Sequence, residues 1–317
     1  MKLMVFVFII LPCFLVAQTK WQNVDSLYQP LPSGFHVFYS NDPLDSKPFI
    51  AYYVVANLKD KSINYTTQIA AGKRYTPNEY YQKYAHPLLV MNATFFEFIH
   101  NQNLNVVVKD GKMEAYNRSI EGRGKDTFTY RHPFSSAIGI TKNRKADIAW
   151  IFTDSTRAFP YASQRPINAF KDSNRVANLR SAQQAASLKE WKVQTAVGGG
   201  PVLLQKGEIK ITNNEELRFS RNGIEDKHPR TAMGYTKDNK LIMLVIQGRF
   251  PGKAEGATLL QEAKIFKDLG CIEALNLDGG GSSCLLINGK QTITPSDKEG
   301  QRPIPAIFMI ESANKLL

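Results

Sequence analysis

The stretch that decides the reading is 274–289, "ALNLDGGGSSCLLING". A run of strand character ends in one carboxylate, Asp278. Gly279, Gly280 and Gly281 follow, then Ser282 and Ser283, then a second apolar run. A turn needs one or two glycines, and each carries an entropic cost. A third implies that something approaches the backbone closely, or that N–H groups are aimed at an anion. Asp278, at the end of a strand, is placed to project into a cleft. The stretch is not a G-x-G-x-x-G turn opening a helix, a GK[ST] phosphate loop or a G-x-S-x-G elbow.

Moving outward, "TLLQEAKIFKDLG" upstream predicts an amphipathic helix. Thr258 is its cap, Gln261 completes a capping box and Gly270 is the stop. A second triple glycine, "GGGPVLLQKGEIK" at 198–210, matches 279–291 in pattern: glycines, apolar strand, then a turn with Gly and Lys adjacent. The pair hints at two related units with their glycine turns on one cleft. Hairpins are predicted around Asp110-Gly111, in "SSAIGITKNRKADIAWIF", and at Asp238-Asn239. "FIAYYVVANL", "INYTTQIA", "PLLVMNATFF" and "PAIFMIE" read as strands. "TPNEYYQKYA" reads as a helix with Thr76, Pro77 and Glu79 forming its start. Residues 154–180 read as a long surface loop, and "SAQQAASLKEW" (181–191) as a helix. Strands with few helices predict an α+β fold of mixed, largely antiparallel sheets with a few packed helices.

The first residues, "MKLMVFVFIILPCFLVAQTK", combine Lys2, an apolar run from Leu3 to Val16 and a small residue, Ala17. This is the pattern of a secretory signal peptide over 1–17, with periplasmic or secreted location as the expectation. No later run is long and apolar enough for a membrane span. Residues 18–49 are expected to be irregular and to wrap onto one domain spanning 50–317. Outside the signal peptide stand Cys271 and Cys284. An oxidising compartment permits a bridge between them, while their place beside strands equally suits buried thiols. Formal net charge is +12, which favours anionic partners. No nucleic-acid recognition motif accompanies it.

Further polar residues fall at predicted strand ends. "MNATFF" places Asn92 there. "HPRTAMG" brings His228, Arg230 and Thr231 to the start of a strand, "IQGR" puts Arg249 at the end of the next, and "QRPIPAIF" puts Arg302 before the last. Arginine binds phosphate oxygens with a planar fork. The histidines show no metal-ligand spacing and the acids form no calcium loop, so neither a metal nor another cofactor is expected. Glu97 is a candidate second carboxylate. Glu262, inside the helix, reads as structural.

Together "MNATFF", "VGGGPVLL", "HPRTAMGY", "VIQGR", "GATLLQEAKIFKDLGCIEALNLDGGGSS" and "RPIPA" resemble the phosphodiester glycosidase family, in order, over roughly residues 50–311. Gly256 to Ser283 is the most specific part. Ala93 and Thr94 stand where the family usually has Gly, and Cys284 where Thr is frequent; these departures leave the substrate open. The resemblance implies hydrolysis of the bond between an anomeric carbon and a phosphodiester, N-acetylglucosamine 1-phosphodiesters being one candidate class. On that basis Asp278 is expected to act as nucleophile or base, and Arg230 to bind the phosphate. Substrate contacts are expected from Asn92, His228, Thr231, Arg249 and Arg302. The glycine turns would add Gly199, Gly200, Gly279 and Gly280, with Ser282 and Ser283 beside them. The alternatives are a non-catalytic glycan-binding protein on the same scaffold and a metal-dependent phosphodiesterase.

Overall fold

The computed structural model describes residues 18–123, 129–167 and 188–313; the signal-peptide reading falls outside them. Among the described residues the chain forms an eight-stranded, a seven-stranded and a five-stranded sheet, with a two-stranded ribbon. The large sheet is centred on the hairpin Arg230–Thr236 and Lys240–Ile246. Ala51–Asn57 flanks it on one side and Cys271–Asn276 on the other. The small sheet pairs Leu285–Ile287 with Leu89–Asn92, then Ala306–Ser312, then Ile63–Ile69. The seven-stranded sheet contains the hairpin Ser135–Thr141 and Ala146–Phe152, with Val193–Gly198 on its far side. These pairings are antiparallel, the arrangement an α+β fold with few crossover helices requires.

The main core lies where the three sheets meet. It joins Val37, Val54 and Met243 of the large sheet, Met91, Leu285 and Phe308 of the small one, and Ile138, Trp150 and Val197 of the third. Helix Leu259–Asp268 covers the outer face of the large sheet with Leu259, Ala263 and Phe266. Both predicted capping boxes are present, at Thr76/Glu79 and at Thr258/Gln261. Each satisfies two backbone N–H groups that the first helical turn leaves unpaired.

Three local expectations change. Residues 18–49 are not wholly irregular: Phe35–Ser40 is a strand of the large sheet, held there by fully buried Phe35 and Val37. The stretch 154–180 contains a buried strand, Tyr161–Ser163, paired on one side with Ala146–Phe152 and on the other with Lys189–Glu190. In "SAQQAASLKEW" only 188–191 are described, and there Lys189–Glu190 is a strand rather than helix. Cys271 and Cys284 are buried free thiols.

The two glycine segments are the places where the chain changes sheet. Val193–Gly198 leaves the seven-stranded sheet, and Val202–Gln205 continues in the large one. Cys271–Asn276 leaves the large sheet, and Leu285–Ile287 continues in the small one. Each is followed by a tight hairpin with two left-handed residues, Lys206-Gly207 and Asn288-Gly289. The similarity read from the sequence is therefore a repeated strand–crossover–hairpin unit.

Candidate active site

Asp278 sits on the second crossover. Its backbone N–H donates to the Ala93 carbonyl at 3.0 Å, which ties the turn to the end of Leu89–Asn92. Gly280–Ser282 then forms one 3-10 turn. Burial raises the Asp278 carboxyl strongly; the Ser282 hydroxyl, the Arg302 charge, the Gly279 N–H and the Arg218 charge pull it back only in part. The balance pushes it up to about 7. A carboxyl poised near neutrality can hold or release a proton at working pH, as acid–base chemistry needs.

Two guanidinium groups act on this carboxyl, and neither is that of Arg230. Arg302 donates from Nε to Asp297 at 2.6 Å and from Nη1 to Ser282 Oγ at 3.4 Å. Arg218 donates from Nη2 to the Gly199 carbonyl at 2.7 Å and to Ser135 Oγ at 3.1 Å. Its Nε is buried with no partner. One loop backs both cations with rings: Arg218 lies 4.9 Å from the Phe95 centroid and Arg302 lies 5.5 Å from that of Phe98. Arg249 is the third. Its guanidinium lies against Gly280, 3.0 Å from where a Cβ would be, and the side chain is exposed.

Arg230 is engaged elsewhere. It is 3% exposed and donates from Nε to the Ala257 carbonyl and from Nη2 to the Asp226 carbonyl, both at 2.9 Å. The charges acting on it are Glu262, Asp226 and Arg249. Glu262 is fully buried with both carboxylate oxygens unpartnered, and burial pushes it up to about 8 against the pull of Arg230. The expected phosphate clamp is thus held by two backbone carbonyls, with the Phe219 ring 6.0 Å away, and it is not among the charges that act on Asp278. A strand-start arginine gives no sign in the sequence of which way its side chain runs.

Asn92 is a staple rather than a free ligand group. Its Nδ2 donates to the Asp278 carbonyl at 2.5 Å, and its Oδ1 accepts from Thr231 Oγ1 at 2.9 Å and the Cys284 N–H at 3.1 Å. Thr231 and Ser283, both fully buried, are 3.2 Å apart in the same network. His228 pairs its backbone with Ala257, and its Nδ1 is buried without a partner. Burial, then Arg230 and Arg249, push its pKa down. Glu97 spends its carboxylate on the N–H groups of Ile99, His100 and Gln102 within its own loop.

The glycines do clear room, but for the protein itself. A Cβ on Gly199 would lie 2.4 Å from the Asn276 carbonyl oxygen, and one on Gly279 would lie 2.7 Å from that of Pro229. A Cβ on Gly281 would lie 2.2 Å from Arg302 Nη2. Gly200, at φ +126°, adopts a conformation that favours glycine and passes above Glu216. Both crossovers border one place, because Arg218 grips the Gly199 carbonyl while its charge acts on Asp278.

Sequence reading missed Arg218, Phe95, Phe98 and Glu216. Glu216 is fully buried and accepts from Ser136 Oγ, Trp150 Nε1, Val202 N and Thr212 Oγ1, anchoring the first crossover. The one available signal was "EELRFS", a carboxylate, an arginine and an aromatic ring in a short irregular stretch.

Comparison with known proteins follows the same lines. The profile of the phosphodiester glycosidase family matches residues 160–311. Mouse N-acetylglucosamine-1-phosphodiester alpha-N-acetylglucosaminidase is 34% identical over 213 residues, 66% of this chain and 33% of that protein. The chain spans a third or less of the length of the curated relatives it matches. Several solved structures share the fold, two of which serve for comparison. The zebrafish N-acetylglucosamine-1-phosphodiester alpha-N-acetylglucosaminidase catalytic domain, auto-inhibited by its pro-peptide, has a TM-score of 0.58 at 20% identity, covering 93% of this chain and 88% of that one. A hypothetical protein from Synechocystis has a TM-score of 0.59 at 16% identity, covering 89% and 62%. The matched segment carries Arg218, Asp278 and Arg302, so the likeness to the phosphodiester glycosidase family runs through the candidate site itself.

Proposed function

We propose that the protein is an exported hydrolase that cleaves the bond between the anomeric carbon and the phosphate of glycosyl 1-phosphodiesters, with N-acetylglucosamine among the sugars to test first. The observation that carries this reading is Asp278, poised near pH 7 beside the Arg302 and Arg218 charges. The substrate phosphate lies against Arg302 and Arg249, which flank the Gly280–Gly281 turn. Arg218 stays beneath Asp278 and steadies its charged form. The ionised carboxylate either attacks the anomeric carbon, giving a glycosyl ester that water then cleaves, or takes a proton from the water that attacks directly. The C–O bond breaks with its electron pair going to the phosphate oxygen. A phosphate monoester leaves readily, so the arginines absorb the developing charge and little protonation is needed. This differs from ordinary glycoside hydrolysis, where a second carboxyl protonates the departing oxygen.

Arg230, expected from sequence to hold the phosphate, is here a positioning residue. It braces the strand that carries Thr231, whose hydroxyl orients Asn92 and through it the Asp278 carbonyl. The deciding experiment is hydrolysis of a sugar 1-phosphodiester in ¹⁸O-labelled water. The expected result is label in the released sugar and loss of turnover in Asp278→Asn. Label in the phosphate would mean attack at phosphorus and overturn the reading. Full turnover in Asp278→Asn would remove its centre.

A further inference from the structure

The loop that backs the two arginines has a second surface. Phe95 and Phe98 present rings to Arg218 and Arg302, yet Phe98 is 57% exposed and the adjacent Ile99 is 85% exposed. The loop is not loose. Glu97 accepts from three of its N–H groups, at 2.9 Å from Ile99, 2.8 Å from His100 and 3.2 Å from Gln102. Its stem closes with Leu104 N donating to the Phe95 carbonyl at 2.8 Å and Glu97 N to the Gln102 carbonyl at 3.0 Å. Phe96 anchors it in the core under the small sheet and touches Phe98, their ring centroids 4.8 Å apart. The fold therefore holds two large apolar side chains in water, side by side, at a fixed height.

Position gives that arrangement a use. The Phe98 ring has two guanidinium groups near it, Arg302 at 5.5 Å and Arg74 at 5.2 Å. Arg302 is also the cation that acts on Asp278 and donates to Ser282. Moving outward, one meets the carboxylate, then a cation, then an apolar ledge with a second cation behind it. A phosphodiester laid along this line puts its sugar at Asp278 and its phosphate at Arg302. The group esterified to the far side of the phosphate then rests on Phe98 and Ile99. An aromatic ring next to a branched aliphatic chain offers no hydrogen bonds to hydroxyls. It rewards removal of apolar surface from water.

We infer that the Phe98–Ile99 tip is the aglycone platform of this site, and that the alcohol esterified to the substrate phosphate is aliphatic. The inference rests on the function proposed above and specifies its leaving group: the phosphate monoester of an apolar alcohol. The class of substrate is an amphiphile with a sugar, a phosphodiester and a hydrocarbon chain.

The test uses one glycosyl 1-phosphate carried on three aglycones: methyl, octyl and a hexose linked through its 6-oxygen. The readout is the ratio of kcat/KM between octyl and methyl esters, which cancels any general change in the enzyme. The wild type is expected to favour octyl by about 10-fold or more, the usual scale for apolar discrimination. Phe98→Ala and Ile99→Ser should each bring that ratio down several-fold, and Phe98→Leu should restore most of it. A ratio near one, a ratio unmoved by both variants, or a hexose ester preferred over octyl overturns the inference. Binding of octyl phosphate against methyl phosphate, followed by titration calorimetry, asks the same question without turnover. Tighter octyl binding that Ile99→Ser weakens supports the platform even if none of the esters is cleaved, and equal binding refutes it. Failure of hydrolysis alone falls on the proposed reaction instead.

Discussion

Replacing Asp278 by Asn is predicted to make the protein more stable, and increasingly so as pH rises. Burial lifts the carboxyl from 3.8 to about 7. At about 1.4 kcal/mol for each tenfold in proton affinity, ionising it within the fold costs roughly 4 kcal/mol. The folded-state value is raised, so the favourable contribution is complete below pH 3.8 and disappears as pH rises through about 7. Asn has nearly the same shape and carries no charge to desolvate. Near pH 5 the wild type has incurred only the first part of the cost, about 1.5 kcal/mol, and near pH 8.5 all of it. The gap between variant and wild type should widen by roughly 2–3 kcal/mol over that range. Urea unfolding at both pH values, with equal slopes in denaturant, measures it directly. A gap that stays constant with pH, or a wild type that is the more stable at pH 8.5, would refute the claim that this carboxyl is held against its own ionisation.

Three further outcomes follow from the same geometry. If the ionised carboxylate does the work, kcat/KM should climb with pH and level off above about 7; a profile flat from pH 5 to 9 would contradict it. Arg302→Ala should lower kcat by about 10²–10³, the scale of losing one electrostatic stabiliser, whereas Arg230→Lys should act through stability measured by thermal unfolding. Gly199→Ala and Gly281→Ala should separate: the first drives a Cβ into the Asn276 backbone and should lose several kcal/mol of stability, while the second meets only side-chain ends, the Arg302 guanidinium and the Asp297 carboxylate, so the melting temperature should fall much less than for Gly199→Ala while turnover falls.

Much of this was legible in the sequence because it was local. The capping boxes at Thr76 and Thr258, the Asp110-Gly111 and Asp238-Asn239 hairpins, and an acid closing a strand before three glycines each follow from a few neighbouring residues. What was not legible depends on where distant side chains end up. Arg230 and Arg218 are both arginines in short polar stretches, yet the direction of each was decided by distant partners, the Ala257 carbonyl in one case and the Phe95 ring in the other. The glycines misled for a related reason. Three in a row do signal close approach, but the approaching atoms belong to Pro229, Arg249 and Arg302. Asn92 looked like a ligand group because it is polar at a strand end; it is polar because three backbone and hydroxyl groups of two sheets need a common partner there.

The crossovers have an implication for dissecting the molecule. Residues 160–311 carry the family likeness, but they do not carry a complete pocket. The middle of the small sheet, Leu89–Asn92, the carbonyl that receives the Asp278 N–H and both phenylalanine rings behind the arginines lie upstream of residue 160. A fragment cut at that boundary would keep the carboxylate and its cations while losing the wall they lean on. The smallest piece that keeps the whole small sheet beside Asp278 has to begin before the strand Ile63–Ile69.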